Sequence, residues 1–133
     1  MTSTTSPTPI YYTQRTIDRA ARAVRCAPFR LKLYAAMIAQ SVALGAIAGT
    51  SGVQHQYTRR PLLELAAESE LLWLIQVGLL RREVDGQGLT DSFRLTPLGR
   101  QLVQTWQTKG RVDRPSLSDR FYNAFSRWVR LPF

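Results

Sequence analysis

The sequence predicts a mainly α chain carrying one small β hairpin. Three observations carry that expectation. Leu62 to Val77 reads as an apolar helix that stops at Gly78. Leu80–Val84 and Ser92–Leu95 read as short strands on either side of the turn signal Asp85-Gly86. Thr96-Pro97 then gives an N-cap followed by proline in the first turn, where a new helix starts. The chain has 133 residues, 44% of them apolar, enough for one domain with a true core plus appendages.

Taken in order, TSTTSPTP lacks a basic-then-apolar signal pattern, so residues 1–12 read as a disordered lead. A first helix spans about Thr13 to Cys26. Arg15, Arg19 and Arg22 form one stripe, with Ile17, Ala21 and Val24 opposite. A second helix is expected from Pro28 to about Ala48. Its small residues repeat every fourth position, Ala35-Ala39-Ala43 and Ser41-Gly45-Gly49, which suits close packing. It is too short, and too interrupted by Gln40 and Ser41, for a membrane span, which needs about 20 apolar residues. Val53–Tyr57 reads as a short strand. The stretch 61–77 is helical in pattern, as one helix or as two short ones around Glu68-Ser69. Helix 96–107 buries Leu98, Leu102, Val103 and Trp106. Residues 108–117 form a polar linker. Ser118 or Ser116 caps a last amphipathic helix, 118–133, on which Phe121, Phe125 and Trp128 fall at i, i+4 and i+7.

The charge is concentrated at the ends. The net charge is +9, and sixteen of the eighteen basic residues are arginine, whose planar fork suits phosphate and carboxylate. Residues 1–32 carry +5, residues 108–133 carry +4, and the centre sums to zero. Two basic arms therefore flank a neutral middle.

The order helix, strand, helix, strand, turn, strand, helix resembles a winged helix. Gly78, Leu79, Leu80 and Arg82, followed by Leu95, Thr96, Gly99 and Arg100, resemble the stretch that leaves the recognition helix and caps the next one in PadR-type and MarR-type regulators. The resemblance covers about residues 62–107 and implies a winged-helix-like domain over 13–107 with extra N- and C-terminal helices. It also implies DNA as a partner. Against that, the recognition segment offers Glu64, Glu68 and Glu70 and then the apolar LLWLIQV, where base reading needs polar or basic side chains. The hairpin tip Asp85-Gly86-Gln87-Gly88 carries no cation.

The expected function is therefore that of a non-enzymatic, nucleic-acid-binding regulator. It would contact phosphates through Arg15, Arg19, Arg22, Arg25, Arg59, Arg60, Arg81 and Arg94, mostly without reading sequence. The alternative is an interaction adaptor that kept the winged-helix shape without reading DNA. In that case Phe121, Phe125 and Trp128 would dock on a protein partner or a second copy. A membrane surface ranks behind both.

Catalytic and metal readings find little support in the residues. Cys26, next to an arginine, has the setting of a lowered thiol pKa. The single histidine, His55, is 29 positions away, so no nucleophile–base pair is evident. One cysteine and one histidine make neither a disulfide framework nor a zinc site, so no cofactor or metal is expected. The lone thiol fits a reducing cytoplasm.

Overall fold

The computed structural model describes residues 11–129. Most of the expected lead, residues 1–10, and the last four residues of the expected C-terminal helix, Arg130 among them, lie outside these. The elements are α1 (Gln14–Cys26), α2 (Leu31–Ala39), β1 (Val42–Ala43), α3 (Leu44–Ile47), α4 (Gly49–Gln54), α5 (Glu64–Gln76), β2 (Leu80–Asp85), β3 (Gly88–Leu95), α6 (Pro97–Lys109) and α7 (Leu117–Val129). The architecture is mainly helical with a small three-stranded antiparallel sheet in the order β1-β3-β2.

The hairpin and its turn form where the sequence places them, but the return strand starts at Gly88, four residues before the expected Ser92. Leu80 pairs with Leu95 and Asp85 with Gly88, with a bulge between Arg82 and Val84. The Asp85 carboxylate accepts from the Gln87 amide at 2.7 Å and fixes the turn. Strand alternation sends Phe93 and Leu95 inward, and both are buried. They join Leu33, Tyr34 and Met37 of α2, Leu71 and Leu74 of α5, and Val103 and Trp106 of α6 in one core. A fully buried Leu or Phe of this kind stabilises by about 1.5–3 kcal/mol.

Two expectations fail between residues 28 and 58. The single helix over 28–48 is broken: α2 ends at Ala39, and Gln40 is extended. Neither glycine nor proline stops it there. Val42 and Ala43 instead pair with Phe93 and Ser92 of β3, so a tertiary ladder overrides local helix propensity. The expected strand over 53–57 is the end of α4 and a turn, with Gln56 at φ 64°. The one bridge in that region joins Thr58 to Phe29. Residues 64–76, by contrast, form one helix, α5, and not two.

The residues Gly78, Leu79, Thr96 and Gly99 stitch α5 to α6. Gly78 takes φ 86°, a left-handed turn that ends the helical run. The Thr96 hydroxyl donates to the Gly78 carbonyl at 2.5 Å and accepts from the Gly99 amide at 3.1 Å, capping α6. A Cβ on Gly99 would run into the Leu79 carbonyl and the Leu95 side chain.

Candidate functional site

The two basic arms meet. At the end of α1, Arg25 donates through Nε and Nη2 to both oxygens of Asp119, at 3.0 and 2.9 Å. Asp119 also forms a reciprocal cap with Ser116: each backbone amide donates to the other's side chain at 3.0 Å. These bonds hold Asp119 at about pKa 2, below its ordinary 3.8; the Arg25 hydrogen bond is the largest cause. The start of α7 is thereby clamped to the end of α1. Gly110, at φ 81°, ends α6 and sends the linker toward that clamp.

Between these parts lies an open cleft of about 1000 Å³. Its apolar lining includes Val24, Phe29, Leu31, Leu62 and Val112. The cations come from three places. Arg25, Arg30 and Lys32 lie around the α1–α2 junction, Arg59 and Arg60 in the loop before α5, and Arg111, Arg114 and Arg120 in the linker and the first turn of α7. Asp113 is the one carboxylate in the lining, and Lys109 holds it at 3.1 Å.

Backbone bonds pin the arginine loop on both sides. The Arg30 amide donates to the Tyr57 carbonyl at 2.8 Å, and the Gly49 amide donates to the Leu62 carbonyl at 2.8 Å. Arg59 and Arg60 are thus held beside the start of α2. No side chain caps that helix start, and its first two residues, Leu31 and Lys32, line the cleft at the positive end of the helix dipole. Among the described residues no carboxylate pairs with Arg30, Lys32, Arg59, Arg60, Arg111, Arg114 or Arg120 within ion-pair distance.

The structure sorts the predicted residues into three groups. Arg25, Arg59 and Arg60 line the cleft. Arg15, Arg19 and Arg22 follow α1 outside its lining, with Arg22 over the Tyr122 ring at 5.8 Å. Arg81 and Arg94 share Glu83 on the hairpin, at 3.6 and 3.2 Å. Sequence reasoning missed Arg30, Lys32, Arg111, Arg114 and Arg120 as site residues. Their signal was the net charge of each arm, but only the fold shows that both arms reach one place.

Cys26 also lines the cleft. Burial, and after it the Asp119 carboxylate, push its thiol above the usual range. The neighbouring arginines act the other way and do not prevail, so the expected lowered pKa is corrected to a raised one. The His55 ring stacks on Tyr57, and its Nδ1 lies 2.8 Å from the Ser51 carbonyl, an ordinary local bond. No three His, Cys, Asp or Glu gather as a metal site among the described residues, and no helix there is long and apolar enough to cross a membrane.

On α7 Tyr122 turns toward Arg22 of α1, and the other aromatic residues face away from the core. Asn123 accepts from the Trp73 indole at 2.9 Å, and Arg127 bonds Glu70 and Ser69 at 2.9 and 2.8 Å. Phe121, Phe125 and Trp128 are exposed.

Fold and site together define a class: a mainly helical domain with a small antiparallel sheet and an open cationic cleft bordered by the end of α1 and the start of α7. The chain belongs to the Npun_F0494-like family, whose model matches residues 10–127. That match takes in α1 and nearly all of α7 as well as the sheet. No curated protein and no solved structure matches the chain.

Proposed function

We propose that the chain is a non-enzymatic, winged-helix-type protein that binds nucleic acid by its phosphates in the cationic cleft. The observation that carries this reading is the cleft's seven cations that lack an ion pair among the described residues. A single phosphate needs fewer, whereas a nucleic-acid backbone repeats its charge along its length. The uncapped start of α2 adds amide donors of the kind that take phosphate. The winged-helix reading rests on the sequence α2, β1, α3–α4, α5, β2, β3 and on β1 pairing beside β3.

The surface a winged helix usually offers to base edges is a poor reader here. Leu65, Ser69, Leu72 and Gln76 face outward on α5. The hairpin cations Arg81, Arg82 and Arg94 are all engaged by carboxylates. Binding should therefore depend strongly on salt and weakly on sequence.

The test is fluorescence anisotropy of duplex and single-stranded oligonucleotides over a salt series, with Arg59→Gln/Arg60→Gln as the variant. The expected result is binding at low salt, with the log–log salt slope reduced by about 0.9 for each phosphate that the variant no longer neutralises. No binding at low salt, or binding unchanged in the variant, would reject the reading.

One observation favours a second reading, the interaction adaptor. Leu63, Leu65 and Leu72, on and before α5, are exposed where a DNA reader would be polar. Loss of a co-purifying protein in Leu65→Lys/Leu72→Lys, with oligonucleotide affinity kept, would support it.

A further inference from the structure

α7 is mounted with its polar side inward. Asp119, Asn123 and Arg127 bond to Arg25, Trp73 and the Ser69–Glu70 pair, and Ser126 is fully buried beneath them. On the other side Leu117, Phe121, Phe125 and Trp128 are exposed by 84, 64, 37 and 82%. Turning the helix to bury these rings in the core would break all three anchors. The core is therefore not their cover, and a row of exposed rings this size calls for one.

Charge selects the cover. α1 and residues 109–129 carry nine cations against three carboxylates, and Glu70 of α5 neutralises one of the nine, Arg127. Of the three, Asp113 and Asp119 are ion-paired and Asp18 accepts from Gln14. Arg22 and Arg25 face α7, and helical spacing continues their row through Arg19 and Arg15 beside it. Arg120 and Arg114 lie exposed around its first turn. A second copy would bring two such positive flanks together. An anionic surface is complementary to them, and a fluid one accepts a protruding ridge without needing a matching groove.

We propose that α7 is a surface anchor for anionic lipid bilayers. It lies in the interface with Leu117, Phe121 and Trp128 among the acyl chains and the flanking arginines on headgroup phosphates. The exposed face of α7 carries this inference whatever the cleft binds, although Arg25, Arg114 and Arg120 border both surfaces.

Tryptophan fluorescence of the full chain tests it. Trp73 and Trp106 are only 7 and 4% exposed, so a blue shift on adding vesicles reports Trp128. The expected result is a blue shift and co-sedimentation with phosphatidylglycerol vesicles and neither with phosphatidylcholine. Trp128→Phe should abolish the shift. Phe121→Ser should weaken co-sedimentation by about tenfold or more, the scale of one buried ring, with unchanged thermal unfolding.

Three results would overturn the proposal. Co-sedimentation without a shift would mean headgroup binding by the cations alone. A shift that grows with protein concentration in the absence of lipid would mean a second copy is the cover. A shift with oligonucleotide but not with vesicles would mean the rings stack on bases.

Discussion

Tyr34 shows how unevenly one side chain can contribute. Its ring is fully buried among the residues that join α2 to the sheet, yet its hydroxyl finds no hydrogen-bond partner among the described residues. Burial first, and the Glu70 charge second, push its pKa upward, so the phenol stays neutral. An unpaired buried hydroxyl costs free energy, and removing it relieves that cost while the ring keeps its packing. Tyr34→Phe is therefore expected to be neutral or to stabilise by up to about 1 kcal/mol in urea unfolding. Tyr34→Ala, which empties the site, should cost about 3–5 kcal/mol. Equal losses in the two variants would show that the hydroxyl has a partner after all. Gly99 is the opposite case, a residue whose lack of a side chain matters. Gly99→Ala must displace both the Leu79 backbone and the Leu95 side chain, at about 1–3 kcal/mol in the same measurement.

Among the elements, α7 was the easiest to find in the sequence and the hardest to place. Its aromatic spacing gave a helix, and Ser116 caps it as one of the two candidates. What spacing could not give was which side faces the core. Apolar periodicity assumes that apolar residues point inward, whereas three directional polar anchors turn α7 the other way. The break after α2 escaped for a related reason: Val42 leaves the helix for a strand partner 51 positions later in the chain, Phe93. The hairpin and the α5–α6 junction were legible because their determinants are local: Gly78, the Asp85 turn, and Thr96 before Pro97. The clamp between α1 and α7 makes a testable statement about pH. Asp119 has a folded-state pKa of about 2 against an ordinary 3.8, so its contribution is present above about pH 4 and fades as pH falls through 2. The stability difference between the native chain and Asp119→Asn should follow that course in denaturant melts at stepped pH. A difference that stays constant down to pH 2 would mean the Arg25 pair does not hold the carboxylate's charge in solution.

At the scale of the whole molecule, described parts of both basic arms line one site. The sequence showed two basic arms and a neutral centre, and no local pattern says whether such arms lie on one face or on opposite faces. The Arg25–Asp119 clamp, together with the pinned Arg59–Arg60 loop, puts cations of both arms around one cleft. The hairpin, which the resemblance marks as a DNA-contacting element, spends its arginines on Glu83, Glu68 and Asp91. Under the proposed function these two groups of arginine must behave differently. Arg111→Gln/Arg114→Gln comes from the opposite arm to Arg30 and Lys32, and from a different element than Arg59 and Arg60. It should nevertheless lower the salt slope of oligonucleotide binding by about 1.8, the effect of leaving two phosphates unneutralised. Arg81→Gln/Arg94→Gln removes the same formal charge from the chain, yet it should leave the slope unchanged, because those guanidinium groups are already committed to Glu83. If binding responded only to the chain's total charge, the two double variants would weaken it equally. Equal weakening would therefore remove the cleft as the site, even if the chain binds nucleic acid.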